Sequence, residues 1–202
     1  MNCTNPKTII LQAQKNVKYQ RHIRVGCGQC INCKQKRAQE TTNRLVDEST
    51  QHKDVCIIVL TYDNENIRYG EKTKYGRYGT LWHPDIQKFM KRLRKHIMLG
   101  RKNGSLSRDE NKLKYYIAGE YGEAKKRPHY HIALFGLNDK LPEHKKIINK
   151  SWNLGNILYY KGNNELTAGG YAYVAQYIQK KIYDGKNAVH FTSCCLLHFL
   201  FE

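Results

Sequence analysis

Apolar residues along this chain recur at two spacings, one typical of strands and one typical of helices. A continuous apolar, β-branched run at 55–62 predicts a central strand, and a shorter run at 156–160 predicts another. Apolar residues at helical spacing predict a helix that begins at Pro84 and ends between Gly100 and Gly104, with a cationic outer face. The other predicted helices are a polar one over 34–51, a short one over 142–149 and one over 173–181.

Two further apolar runs carry residues with metal-binding chemistry. The run 115–120 closes on Glu120, and turn-forming residues separate it from the next run. That next run, 128–136, opens with His129 and His131 and predicts the second strand of a hairpin. The strand period of two places both imidazoles on one face of the sheet. A carboxylate beside two imidazoles suits a borderline or hard divalent ion; the alternative is a strand that merely contains two histidines.

The order of predicted elements, β-α-β-β-α-β-α, favours an α+β fold. In such a fold an antiparallel sheet is flanked by helices that pack on its faces. We expect this domain to cover residues 34–185, between a Cys-rich N-terminal segment at 1–33 and an atypical apolar tail at 186–202. Residues 63–80 follow neither period and predict a long loop, of the kind that often carries function.

The charge of the chain favours a polyanionic partner. Its 35 basic and 17 acidic residues give a net charge of +18, and neutralised phosphates release counterions. Fifteen tyrosines against five phenylalanines supply aromatic faces on which bases stack. We favour nucleic acid over an acidic membrane surface because no amphipathic basic helix dominates the sequence. The candidates for contact with DNA are Tyr75, Arg77, Tyr78 and Arg127.

Neither a secretory signal nor a membrane span is evident in the sequence. The N-terminus lacks a cationic region followed by an apolar core. No apolar run approaches the roughly 20 residues that cross a bilayer. The seven cysteines are an odd number, and three of them cluster at metal-type spacing, which favours a reducing compartment. We therefore expect an intracellular protein with no membrane partner.

The cysteine cluster predicts a structural metal site. Cys27, Cys30 and Cys33 follow the pattern C-x-x-C-x-x-C, in which the backbone can fold three thiolates around one ion. Tetrahedral zinc needs four ligands, and Cys3 is the expected fourth, with His22 as a substitute. An iron–sulfur cluster uses similar spacings, and three reduced, unligated thiols are the remaining alternative.

The predicted helix at 173–181 offers nucleophiles. Tyr173 and Tyr177 are one turn apart on one face, and Lys180 and Lys181 follow within reach of a phenol or a phosphate. A free phenol has a pKa of about 10, so its attack on a phosphodiester needs a cation that stabilises the attacking oxygen and the charge on phosphorus. Such an attack leaves a phosphotyrosine ester and a free hydroxyl end. The alternative is a surface helix whose tyrosines only pack.

Five motifs in this order resemble a known family. They are Cys-Gly-x-Cys-x-x-Cys, Leu-Thr-Tyr, Gly-Glu-Tyr-Gly, Arg-Pro-His-Tyr-His and Tyr-Val-Ala-x-Tyr, and they run from Cys27 to Lys181. The His-x-His motif with the paired tyrosines resembles the HUH endonucleases that start rolling-circle replication. The whole set is similar to replication initiators of the Microviridae, gokushovirus type.

The resemblance implies a palm-like antiparallel sheet, as in HUH and RRM folds, within residues 34–185. It implies Mg²⁺ or Mn²⁺ at His129 and His131, with Glu120 as third ligand and Glu123 as the alternative. It also implies nucleophilic attack by tyrosine, with the order of the two phenols left open. The substrate would be single-stranded DNA at a phage replication origin in the bacterial cytoplasm, with host helicase and polymerase as partners.

Family members usually run well beyond 202 residues, and the apolar end at 190–202 departs from them. The sequence therefore favours a metal-dependent enzyme that nicks and joins one DNA strand. One rival interpretation is a non-catalytic binding module for single-stranded nucleic acid. Another is a zinc-stabilised regulatory protein in which the histidines complete a core.

Overall fold

The structure is a computed structural model that describes residues 3–11, 21–70, 78–106, 113–122, 124–160 and 170–172. Within them, the elements in chain order are β1 (Lys7–Leu11), β2 (Arg21–Val25), α1 (Ile31–Thr50), β3 (Val55–Thr61), α2 (His83–Lys102), β4 (Lys114–Tyr121), β5 (Pro128–Phe135), α3 (Pro142–Ser151) and β6 (Ile157–Tyr159). Residues 170–172 are helical as well.

The main sheet has four antiparallel strands in the order β4-β5-β3-β6. The β4–β5 pair is the predicted hairpin, and the run at 55–62 forms the strand between β5 and β6. Helices pack against this sheet, and the Cys-rich segment precedes it in the chain. The predicted α+β class is therefore confirmed. The domain limits proposed from the sequence stay a prediction, and the predicted tail at 186–202 lies outside the described residues.

The two faces of the sheet bury different partners. One face packs against α2 and α3, and the apolar stripe predicted for α2 is buried there: Ile86, Phe89, Met90, Leu93 and Ile97. The other face packs against α1 and the helical residues at 170–172; its buried members are Leu45, Ile57, Tyr116, Ala118, Ala133, Phe135 and Tyr171. The sheet is thus covered on both sides within the described part of the chain.

The N-terminal segment differs from the predicted loop. It contains a two-stranded antiparallel hairpin, β1–β2, in which Lys7 pairs with Val25. The hairpin gives no alternating signal because apolar residues on both of its faces are exposed, including Ile9 and Ile10 at 47% and 53%. Helix α1 begins at Ile31 rather than at Lys34, directly after the extended backbone of Cys30.

Glycine does not end α2, although the sequence predicted that it would. The helix continues through Gly100 to Lys102. A Cβ atom at Gly100 would lie 2.9 Å from Cγ of Leu106, so this glycine allows the chain after α2 to fold back against the helix. The requirement is close packing, not a change of backbone direction.

The predicted loop at 63–80 is partly folded in its described residues. Tyr69 and Gly79 form an isolated antiparallel bridge, and Ile67 is buried in the core. A Cβ atom at Gly79 would approach both Ile67 and Pro128 to 2.8 Å. The two ends of the loop are therefore held against the start of β5.

None of the helices in the described part of the chain combines the length and the apolar character that a membrane span requires.

The core against α2 should dominate the stability of the fold. Leu93 is fully buried, whereas Leu99 on the same helix is 44% exposed. We expect Leu93→Ala to lower the free energy of unfolding by about 2–5 kcal/mol, because it leaves a cavity. Leu99→Ala should cost less than about 1 kcal/mol. Urea unfolding followed by circular dichroism measures both, and equal losses would contradict this assignment of the core.

Candidate functional site

The register of the β4–β5 hairpin brings three metal-binding residues together. Glu120 pairs directly with His129, and His131 pairs with Ala118. Residues directly opposite each other in an antiparallel pair point to the same face, and so do His129 and His131, two residues apart. All three side chains therefore lie on the face of the sheet that packs against α1.

The three side chains converge on one point. Oε2 of Glu120 lies 3.2 Å from Nε2 of His129 and 3.0 Å from Nε2 of His131. The three donor atoms all lie within 4.8 Å of one another. The side chains of Glu120 and His129 are 12% and 19% exposed, whereas His131 is buried at 4%. Solvent therefore reaches the group from the Glu120 and His129 side.

A backbone carbonyl orients the ring of His129. Nδ1 of His129 lies 3.1 Å from the carbonyl oxygen of Arg127, so Nδ1–H donates to that oxygen and Nε2 turns toward Glu120. The same carbonyl accepts from the backbone N–H of Gly122 at 2.9 Å. Partners of this kind fix the tautomer and the direction of metal-binding histidines.

The side chain of Arg127 holds a neighbouring loop. Its guanidinium donates to the carbonyl oxygen of Tyr62 and to Oδ1 of Asn64, both at 2.7 Å. Arg127 therefore ties the turn before His129 to the chain that follows β3. Sequence reasoning missed this role, since Arg127 and Asn64 are 63 positions apart and no local pattern links them. Its predicted contact with DNA stays a prediction.

The donor set fits a divalent cation. One carboxylate oxygen and two imidazole nitrogens suit Mn²⁺, Mg²⁺ or a borderline ion such as zinc. Three protein ligands on a partly exposed surface leave coordination positions for a substrate, as catalytic metal sites do. The alternative third ligand, Glu123, lies outside the described residues.

The predicted nucleophiles lie outside the described residues: Tyr173, Tyr177, Lys180 and Lys181. The nearest described residue with a buried side chain is Tyr171. Its ring stacks on Phe135, with centroids 6.3 Å apart and planes at 18°. Phe135 lies four positions after His131 on the same strand, so it shares the face of the histidines. The chain thus enters 173–181 from that face.

Two of the predicted DNA contacts, Tyr75 and Arg77, also lie outside the described residues. Tyr78 is described and partly exposed, and its carbonyl oxygen accepts from the N–H of Gly70 at 3.2 Å. This contact holds the ends of the loop together; the predicted contact of Tyr78 with DNA stays a prediction.

Tyrosines in the core are poor candidates for nucleophilic attack. Burial raises the pKa of Tyr130 to about 12 and also raises the pKa of Tyr62. The Tyr62 hydroxyl donates to Oδ2 of Asp85 at 3.1 Å, and the Tyr130 hydroxyl accepts from the N–H of Trp82 at 2.6 Å. These groups support β5 from the α2 side. Sequence reasoning missed Asp85, which is buried although it follows Pro84 at a helix N-terminus.

A second candidate metal site lies at the start of α1. Cys3, Cys27, Cys30 and Cys33 place their sulfur atoms within 4.8 Å of one another. The Sγ atoms of Cys27 and Cys33 are 4.0 Å apart, and those of Cys30 and Cys3 are 3.8 Å apart. A tetrahedron of sulfurs around zinc, with a Zn–S bond of about 2.3 Å, has an edge of about 3.8 Å. The four sulfurs therefore already have the spacing of zinc ligands.

Backbone N–H groups point at these sulfurs and favour thiolates. The N–H groups of Cys30 and Gln29 donate to Sγ of Cys27 and lower its pKa. The backbone N–H groups of Cys33 and Thr4 lower the pKa of Cys30 to about 5. Although the N–H of Gly28 favours the Cys33 thiolate, desolvation and the neighbouring sulfurs raise the pKa of Cys33 to about 11. A divalent cation is the partner that would let all four ionise.

Comparison with known proteins places both candidate sites in context. A family model for replication-associated proteins of the ORF2 type matches residues 55–182. The replication-associated protein VP4 of Bdellovibrio phage phiMH2K is 28% identical over 195 residues, 90% of this chain and 56% of that protein. The replication-associated protein ORF4 of Chlamydia phage 1 is 28% identical over 175 residues, 79% of this chain and 39% of that protein.

The replication-associated protein ORF2 of Spiroplasma virus 4 is 29% identical over 172 residues, 78% of this chain and 48% of that protein. The chain spans about half the length of the curated relatives it matches. Among solved structures, the N-terminal nuclease domain of the minute virus of mice non-structural protein-1 matches 75% of each chain at 10% identity. Its TM-score of 0.24 is too low to carry an argument. The resemblance to phage replication proteins stated from the motifs is confirmed by the sequence matches.

The Glu120, His129 and His131 group should determine the affinity of the protein for Mn²⁺. We expect Glu120→Gln to weaken Mn²⁺ binding by about tenfold or more, because the amide lacks the charge that the carboxylate supplies. Glu143→Gln, on the exposed start of α3, is the matched control and should bind Mn²⁺ normally. Titration followed by electron paramagnetic resonance measures both, and equal affinity of the two variants would contradict the site.

Proposed function

This chain belongs to the ORF2 family of replication-associated proteins, and from that premise we propose that it starts replication of a phage genome by nicking one DNA strand and later rejoining it. The observation that carries the proposal is the convergence of Glu120, His129 and His131 on one partly exposed point of the sheet. A family of replication proteins gives that donor set a substrate, the phosphodiester of DNA. The enzyme would be of the HUH type.

The reaction is a transfer of a phosphoryl group to tyrosine. The phenol oxygen of Tyr173 or Tyr177 forms a bond to phosphorus, and the bond between phosphorus and the 3′ oxygen breaks. The 3′ oxygen takes up a proton and leaves as a hydroxyl, while the 5′ end stays on the enzyme as a phosphotyrosine. Rejoining is the reverse attack by a 3′ hydroxyl, so no external energy source is consumed.

The residues of the site divide the work. Glu120, His129 and His131 hold a divalent ion, Mg²⁺ or Mn²⁺, and the carbonyl of Arg127 keeps the His129 ring in place. The ion, when bound, supplies Lewis-acid polarisation of the scissile phosphate. Lys180 or Lys181 offers an ammonium group to a phosphate oxygen. With two tyrosines, one can attack while the other remains linked to a DNA end.

The substrate is single-stranded DNA at a replication origin, in the cytoplasm of a bacterial host. The net charge of +18 supports binding to DNA of any sequence. Tyr75, Arg77, Tyr78 and Arg127 are proposed to contact the strand. Unwinding and synthesis are assigned to a helicase and a polymerase of the host, because the sequence carries no phosphate-binding loop of the Walker type.

A covalent adduct tests the proposal. We expect the protein, mixed with Mn²⁺ and a single-stranded origin oligonucleotide, to form a protein–DNA adduct that survives denaturing electrophoresis. Changing Tyr173 and Tyr177 together to Phe should lower adduct formation by ~10³-fold or more, because the nucleophile is lost. EDTA should abolish it as well.

Tyr69→Phe is the matched control, since Tyr69 is an exposed tyrosine on the Gly79 bridge. It should form the adduct at the normal rate. Cleavage that persists in the double variant would refute the assignment of the nucleophiles. Binding of the oligonucleotide with no adduct from the unchanged protein would instead favour the rival interpretation, a non-catalytic binding module.

The same proposal assigns a structural zinc ion to Cys3, Cys27, Cys30 and Cys33. Cys3 supplies the fourth ligand, because its Sγ lies 3.8 Å from that of Cys30 and accepts from the N–H of Cys27 at 3.2 Å. The ion would link the N-terminal chain, the β1–β2 hairpin and the first turn of α1. It stands in for the apolar core that this exposed segment lacks.

Metal analysis of the purified protein tests this assignment. We expect about one zinc per chain, and we expect Cys3→Ala to lose it with a fall in melting temperature. Cys56→Ala is the control, because Cys56 is buried in β3 and outside the cluster. It should keep the zinc. Iron with visible absorption would favour an iron–sulfur cluster, and rapid reaction of all four thiols with a thiol reagent would favour unligated cysteines.

A further inference from the structure

Helices α2 and α3 lie on the face of the sheet opposite the histidines. Along β5, Tyr130, Ile132 and Leu134 point into the core that contains Phe89 and Ile148 of these helices. His129 and His131 alternate with them and point to the other face. A nucleic acid strand held at the histidines therefore does not reach the outer surface of α2 and α3, and that surface needs its own explanation.

Polar contacts fix the two helices against each other. Nε of Arg92 donates to the carbonyl oxygen of Ser151 at 2.7 Å. Nδ1 of His96 lies 2.9 Å from Oγ of Ser151, which itself donates to the carbonyl oxygen of Ile147 at 2.7 Å. These bonds tie the middle of α2 to the end of α3. Side chains on the two helices accordingly form one rigid surface.

That surface is strongly cationic. Its exposed basic side chains are Lys88, Lys91, Arg94 and Lys95 on α2 and Lys145, Lys146 and Lys150 on α3. The acidic residues of the two helices are Asp85, which is buried, and Glu143, at the start of α3. Within the described part of the chain, no ion pair neutralises the exposed cations. We refer to these seven side chains as the α2–α3 cationic face.

The charges of the two helices act at one place. Burial lowers the pKa of His96, at the seam between the helices, and so do Lys150 on one side and Lys95 and Arg92 on the other. The geometry of the seam and this positive potential are independent signs that the cations are concentrated rather than scattered.

We propose that the α2–α3 cationic face binds the sugar–phosphate backbone of duplex DNA next to the cleavage site. Lysine ammonium groups are compact charges that suit phosphates and carry little base selectivity. Lys88, Lys91 and Lys95 lie three and four residues apart, so they follow one side of α2 over about 10 Å. The contact is independent of DNA sequence. The inference rests on the proposed function only in taking DNA as the partner.

The test uses two DNA substrates and two charge-matched variants of the full chain. One substrate is a short single strand that covers the cleavage site, and the other carries an added duplex of ~20 base pairs. The first variant is Lys88→Gln, Lys91→Gln and Lys95→Gln. The control variant removes the same charge elsewhere, at the exposed residues Lys7, Lys36 and Lys53.

We expect the α2 variant to bind the duplex-bearing substrate about 10- to 100-fold more weakly at ~0.1 M salt, with a salt slope reduced by ~2–3, since each lost phosphate contact reduces it by about one. Changing the duplex sequence should make no difference. The α2 variant should cleave the short single strand at the normal rate, and the control variant should bind both substrates normally.

Three outcomes would overturn the proposal: undiminished duplex binding by the α2 variant, an equal loss in the control variant, or a loss confined to vesicles of anionic lipid. Equal losses would mean diffuse attraction by net charge, and a vesicle-specific loss would mean a membrane surface as partner. Failure of the unchanged protein to cleave would count against the nicking function, whereas the duplex binding data would still decide the role of the cationic face.

Discussion

The pairing of Glu120 with His129 across the β4–β5 hairpin is the constraint on which the candidate active site depends. A slip of one residue in that pairing would turn both histidines toward α2 and away from the carboxylate. The turn prevents such a slip, because the N–H of Gly122 donates to the carbonyl of Arg127 and Lys126, at φ 48°, donates to the carbonyl of Gly122. On the other side of β5, pairing with β3 fixes the register a second time, with Val59 opposite His131.

The two faces of the sheet have separate tasks. Large side chains from α2 and α3 fill the core on one face and make β5 rigid. On the histidine face, the neighbours of His131 are small: Ala118 lies opposite it and Ala133 follows it on the same strand. A rigid strand with small residues beside its polar ones can hold imidazoles in place without crowding the point they share. The outer surface of the helices is then available for contacts that do not disturb the metal site.

Local periodicity predicted much of the fold. The period-two pattern of β4 and β5, and the 3.6-residue stripe of α2, report burial that each element experiences on its own. Features that depend on distant partners gave no such signal. Arg127 binds Tyr62 and Asn64, and Asp85 is buried because Tyr62 and Arg68 reach it from another part of the chain. The β1–β2 hairpin was missed because its exposed apolar residues do not alternate with polar ones. The tyrosines at 173 and 177 lie outside the described residues, so their predicted role stays a prediction.

The bridge between Tyr69 and Gly79 brings the two ends of a surface loop together next to the strand that carries the histidines. Once the ends are joined in this way, the number of residues between them has little effect on the rest of the fold: doubling a flexible loop costs only about 0.6 kcal/mol. Insertions and deletions between these two positions would leave Pro128, and the strand behind it, where they are. Within such a family, this segment is therefore where length can change during evolution while the catalytic scaffold is retained.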